Sequence, residues 1–122
     1  MTSLTIAHVL SSLAMGGQER VALDLATAQV KLGHRVHVIS LAPPPDGVLA
    51  RDFAARGVAV HTVPKGAGVD LGLIARLLLL LRREHVDVVH THNPQPLFYG
   101  GTAGRLAGAV VAGQAHEQRA QP

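Results

Sequence analysis

The sequence contains no cysteine and no tryptophan, and Phe53, Phe98 and Tyr99 are its whole complement of phenyl-type rings. Without cysteine there is no disulfide framework, zinc ribbon or thiol nucleophile, and a reducing compartment fits. With so few aromatics, a stacking platform for single-stranded nucleic acid is excluded, and the core has to be built from Val, Leu, Ile and Ala. Charge is also sparse, at 16% of residues. Eleven Lys and Arg stand against eight Asp and Glu, a net charge of +3. The basic residues are scattered, which reads as solubility or weak attraction to phosphates and anionic lipid, with no nucleic-acid footprint. Long apolar runs are missing too. The longest, Leu77–Leu81, is bracketed by Arg76 and by Arg82 and Arg83, whereas a membrane-spanning helix needs ~20 apolar residues. The opening has no basic segment, and Ser11, Ser12, Gly16 and Gly17 interrupt its apolar run, so no targeting signal is read there. The expectation is a soluble cytoplasmic chain, or one peripheral at the inner face of the membrane.

What is present is one domain's worth of chain, 122 residues of which 48% are hydrophobic, rich enough in apolar residues for a real core. Short β-branched runs at Leu4–Leu10, Arg35–Leu41, Val58–Val63, Val86–His90 and Ala109–Ala112 alternate with segments of helical period. In Gln18–Leu32 the period places Val21, Ala22, Leu25, Ala28 and Leu32 on one face, and Gly33 supplies the stop. Asp46–Arg56 reads as a second helix. Asp70–Glu84, with Asp70 as N-cap, reads as a third, and Pro94 to Leu106 as a fourth. Strands alternating with helices of this length imply βαβ units and a parallel sheet. The fold class is therefore α/β: a Rossmann-like, doubly wound parallel sheet of five strands in the order 3-2-1-4-5. Residues 1–112 form the domain. Residues 113–122 read as a polar tail outside it, with no apolar period. The second strand alternates polar with apolar residues, which predicts a less covered face. In the third helix Leu73, Ile74, Leu77, Leu78, Leu80 and Leu81 fill about half the circumference. That breadth reads either as a core face or as a docking face for a partner domain or membrane surface.

Ligands in such sheets bind outside the carboxyl ends of the strands, and three groups of residues fall there. The first is Met15-Gly16-Gly17-Gln18-Glu19-Arg20, between the first strand and first helix. Adjacent glycines let backbone N–H groups approach a ligand, and the helix N-terminus behind them favours a phosphate or carboxylate. A simple strand-to-helix turn is the alternative. The segment is neither G-x-G-x-x-G nor a P-loop, and Ser40-Leu41 stand where a dinucleotide-binding acidic residue would. The second group is His90-Thr91-His92-Asn93, after the fourth strand. It reads as a substrate contact or a helix-capping turn. His-x-His also suits a metal, but the sequence offers no evident third ligand nearby, so no metal is expected. The third is His116-Glu117, after the fifth strand, where His116 is positioned to bond a sugar hydroxyl or to be an exposed tail residue. His8, His34, His37, His61 and His85 read as structural.

These pieces, in this order, resemble the N-terminal domain of GT-B glycosyltransferases of family 4. Ile6-Ala7-His8-Val9-Leu10 followed by Gly16-Gly17-Gln18-Glu19-Arg20-Val21 is similar to that family's GG-x-E-R-V opening. Leu32-Gly33-His34-Arg35-Val36-His37-Val38, Gly57-Val58-Ala59-Val60 and Asp87-Val88-Val89-His90-Thr91-His92 look like its next strands, and Ala107-Gly108 fits before the fifth. The resemblance implies an acceptor-side domain of a retaining enzyme that moves a sugar from a nucleotide-sugar donor to a sugar or lipid-linked acceptor, with no cofactor or metal. It implies that Gly16 and Gly17 close on the donor diphosphate, that Glu19, His90, His92 and Asn93 line the substrate site, and that His116 is the catalytic histidine. The family's C-terminal donor domain, with its Glu-x7-Glu motif, is absent from these 122 residues. The chain alone is then expected to be inactive, to be completed by that domain or by a partner subunit. Two alternatives stand beside this reading: a non-catalytic binding subunit of a split glycosyltransferase, and a generic Rossmann-like nucleotide binder.

Overall fold

The computed structural model describes residues 2–113. Along the chain run β1 (Thr5–Leu10), α1 (Gly17–Lys31), β2 (Arg35–Ser40), α2 (Ala50–Ala55), β3 (Ala59–Thr62), α3 (Leu71–Arg83), β4 (Val88–Thr91), α4 (Pro94–Leu106) and β5 (Val110–Gly113). The strands form one five-stranded sheet in the order β3-β2-β1-β4-β5, parallel throughout. This is the order that the alternation of elements predicts.

Side chains alternate across a strand, so the sheet serves two cores. On one side α1 and α2 pack Ala22, Leu23, Ala26, Leu49 and Phe53 against Leu10, Val36 and Val38. On the other, α3 and α4 pack Leu73, Leu77, Leu81, Tyr99 and Ala103 against Ala7, Val9, Ile39 and Val89. Asp70 caps α3 as expected, its Oδ1 accepting from the Leu73 N–H at 3.1 Å. The Tyr99 hydroxyl accepts from the Asp70 N–H at 3.1 Å, which joins the start of α3 to α4.

Three expectations change, and one left open is decided. The buried stripe of α1 is Ala22, Leu23 and Ala26, with Val30 partly packed. Val21 and Leu32 are exposed instead. The helix is thus rotated from the predicted face, and the rotation turns Gln29 toward β1. Helix α2 starts at Ala50, not at Asp46. The preceding segment is held by tertiary contacts: Leu49 N–H donates to the Leu13 carbonyl at 3.0 Å, and Gly47 lies so close that a Cβ there would sit 2.2 Å from the Leu13 carbonyl carbon. The second strand is not half covered. From Val36 to Ser40 it is buried, because its inward polar residue, His37, pairs with His61 at 2.9 Å. Finally, the leucine face of α3 is spent on the protein's own core. Leu73, Leu77, Leu80 and Leu81 are buried and Leu79 is exposed, so no broad docking face remains on that helix.

Candidate functional site

The site forms where β1 and β4 end. After Leu10 the chain crosses the top of the sheet and enters α1 through Gly16, whose φ of −169° and ψ of 173° are extended and strain-free. A Cβ on Gly16 would meet only the flexible side chain of Glu19, its Oε1 at 2.6 Å. A Cβ on Gly17 would meet nothing within 4 Å, so the backbone at Gly17 faces an open approach. No side chain caps α1. Its first internal bond is from the Arg20 N–H to the Gly16 carbonyl at 3.0 Å. A helix beginning this way leaves its first N–H groups, at Gly17, Gln18 and Glu19, without helical acceptors, and their partial positive charge favours an anion. Glu19 stands in that first turn, half-buried beside Gly16.

Asn93 links this loop to the end of β4. It occupies the N-cap position of α4, before Pro94, but its side chain does not cap that helix. Its Oδ1 accepts from the Ser11 N–H at 3.2 Å, which ties the loop after β1 to the loop after β4. The turn at His90–Asn93 thus leads into α4 without a side-chain cap.

Behind this edge lies a group of three imidazoles. His90 and His92 sit two residues apart and share a side of the chain, and His8 is the register partner of His90 on the neighbouring strand. The third histidine that the local sequence around His90 does not offer is thus supplied by the sheet. His8 Nδ1 lies 2.9 Å from His92 Nε2, and His8 Nε2 lies 2.7 Å from Gln29 Oε1. With Gln29 accepting, Nε2 of His8 carries the proton, and Nδ1 accepts from His92. The rings of His90 and His92 stack at 4.2 Å between centroids. His8 and His92 are fully buried and His90 is half-buried. Burial pushes His8 down to about 4, against the hydrogen bond to Gln29. Burial, with His90 and His8 nearby, pushes His92 down to about 3. Both rings are therefore neutral at pH 7. His92 Nδ1 is the one buried side-chain nitrogen or oxygen among the described residues without a hydrogen-bond partner.

The structure thus brings Gly16, Gly17, Glu19 and Asn93 to one edge, with His90 and His92 behind it. His116 lies outside the described residues. His8, Gln29 and Ser11 were not predicted as parts of this site. Their signal appears only once β1 is known to pair with β4, because the register, not the spacing along the chain, creates the cluster. Of the other histidines, His34 accepts from the Leu4 N–H at 3.0 Å and His85 adopts a positive φ of 54° after α3, both structural roles. No helix among the described residues is long and apolar enough to cross a membrane.

Comparison with known proteins places this geometry in context. The family model described as Glycosyltransferase Family 4 matches residues 15–120. No curated protein matches the sequence. A glycosyltransferase from Rickettsia africae superposes on 93% of this chain and 30% of its own, with a TM-score of 0.72 and 19% identity. HepE from Anabaena, solved in complex with UDP, superposes on 90% of this chain and 29% of its own, with a TM-score of 0.72 and 18% identity. MurG from Acinetobacter baumannii covers 90% of this chain and 34% of its own, with a TM-score of 0.70 and 18% identity. At such identities the likeness establishes the fold, a Rossmann-like domain of the GT-B type. The chain spans about a third of the length of these enzymes.

Proposed function

This chain belongs to glycosyltransferase family 4, and from that premise we propose that it is the acceptor-side domain of a retaining enzyme that transfers a sugar from a nucleotide-sugar donor. The observation that carries the reading is the uncapped N-terminus of α1 behind Gly16 and Gly17, open to a ligand at the carboxyl edge of the sheet. HepE has been solved with UDP and with UDP and glucose, and a donor diphosphate is the anion this terminus suits. As the donor sugar leaves its diphosphate, negative charge grows on the phosphate oxygens. Fixed N–H dipoles at Gly17 and Gln18 stabilise that charge without reorganising. The loop's tether, Asn93 to Ser11, holds those dipoles in place.

In this reading Glu19 and Asn93 face the sugar or lipid-linked acceptor. His90 and His92 support that edge from below, since His92 has no exposed surface. His116 is the proposed catalytic histidine, on its place in the sequence alone. The domain is residues 1–112, followed by a tail, and a donor-binding domain faces it, on the same polypeptide or on a partner subunit. The reaction needs no cofactor, and the chain works in the cytoplasm or at the inner membrane face. Catalysis requires stabilisation from both walls of the cleft, so the chain alone is inactive.

The test is to assay nucleotide-sugar consumption by the 122-residue chain alone and joined to a family 4 donor domain. No turnover alone and turnover when joined supports the reading. No turnover in either, with binding of NAD but not of nucleotide sugars or their diphosphates, would favour a generic nucleotide binder.

A further inference from the structure

The three buried and half-buried histidines form a cluster that the proposed transfer chemistry does not use. We propose that His8, His90 and His92 hold a divalent transition-metal ion, zinc by preference, which fastens β1 to β4 beneath the ligand edge. His90 in β4 and His92, one residue beyond its end, keep the extended spacing that puts two imidazoles on one side, and their rings stack. The parallel register then sets His8 directly beside His90. One ring nitrogen from each of the three lies within 4.8 Å of the others. Zinc binds imidazole at ~2.0–2.1 Å in tetrahedral geometry, which sets ligand nitrogens ~3.4 Å apart. His8 Nδ1 and His92 Nε2, at 2.9 Å, already stand close to that spacing, and a small opening of the pair admits the ion.

Two further observations favour an ion over a simple histidine pair. Ligating histidines nearly always give their second ring N–H to an oxygen that fixes the tautomer. Gln29 Oε1, 2.7 Å from His8 Nε2, does this, and leaves the Nδ1 lone pair turned into the cluster. In addition, His92 Nδ1 is buried without a partner among the described residues, so no hydrogen bond holds it as an acceptor and it can take the proton that Nε2 yields to the ion. Three imidazoles with no carboxylate in the set suit zinc, copper or nickel over magnesium or calcium. No bond is made or broken in a reaction here. The ion takes the place of the His8–His92 hydrogen bond, whose proton moves from His92 Nε2 to Nδ1, and leaves a fourth position for water.

The experiment uses the full 122-residue chain, stripped with chelator and titrated with Zn²⁺ by calorimetry, with Co²⁺ absorption reporting the ligand geometry. The expected result is one Zn²⁺ per chain and a tetrahedral Co²⁺ spectrum. Affinity should fall ~10–100-fold in Gln29→Ala and at least as far in His90→Gln. His37→Gln, in the separate His37–His61 pair, leaves it unchanged. Should His8→Gln fail to fold, His90→Gln carries the test, because His90 is only half-buried and tolerates a polar replacement, and circular dichroism checks that it is folded. Absence of saturable binding by the folded chain overturns the proposal. So does binding that His90→Gln and His37→Gln weaken equally, which would mean that the ion is not held by this cluster.

Discussion

His8 and His92 stand 84 positions apart in sequence, yet their Nδ1 and Nε2 atoms meet at 2.9 Å in the interior. Both are depressed, to about 4 and about 3, chiefly by burial. In the unfolded chain each titrates near 6.5. Above that value both states are neutral and folding is unaffected. Below it the unfolded chain takes up protons that the folded chain refuses, and stability falls with pH until the folded values are passed. Thermal midpoints measured in metal-free buffer should decline from about pH 6.5 toward pH 4. His92→Gln should flatten that decline, whatever it does to stability at pH 7. An unaltered slope would mean that the pair is not buried and neutral.

Gly17 separates ligand binding from folding. A Cβ there meets nothing within 4 Å, so Gly17→Val should leave the thermal midpoint within the ~0.5 kcal/mol range of ordinary surface changes. In the enzyme completed with a donor domain, the same change obstructs the N–H groups at the start of α1. Loss of such a donor typically costs ~10²–10³ in kcat. Kinetics of the wild type and the variant under one set of conditions check this. A fully active Gly17→Val enzyme would remove this loop from the mechanism.

Gly47 should behave in the opposite way. Its missing Cβ would sit 2.2 Å from the Leu13 carbonyl carbon, far inside van der Waals contact, and backbone cannot swing aside as a flexible side chain can. Gly47→Ala should destabilise by about 2 kcal/mol or more, read by chemical denaturation, and should shift amide resonances across Ser11–Gly17. For Gly16→Ala the obstruction is only the Glu19 carboxylate, which can rotate away, so the cost should be much smaller.

The two sides of α3 give a matched pair. Leu77 is fully buried, while Leu79 is 68% exposed. Leu77→Ala should cost ~2–5 kcal/mol, and Leu79→Ser should cost little. If Leu79→Ser disrupted assembly with a partner, the exposed side of the helix, not its leucine face, would be the contact.

The elements and their order are legible in the sequence because each strand and helix announces itself locally, by β-branched runs, by a 3.6 period and by stops at Gly33 and Gly57. Phase and boundary are less legible. The rotation of α1 follows from Ala22 and Ala26 allowing close approach to the sheet, while Gln29 turns inward to meet His8. The late start of α2 follows from a contact with Leu13 that no local pattern encodes. The glycine loop is visible in the sequence as Gly16-Gly17. The Ser11–Asn93 tether and the histidine cluster are not, because they exist only after β1 lies beside β4.

The central claim, that this domain is one wall of a retaining sugar-transfer cleft, is tested most directly by following the anomeric proton of the transferred sugar by NMR. The chain is incubated with a nucleotide sugar and acceptor, alone and then joined to a family 4 donor domain. The account predicts no change with the chain alone. With the cleft completed, it predicts a product that keeps the donor's anomeric configuration. Turnover by the 122-residue chain on its own, or an inverted product from the completed enzyme, would contradict it.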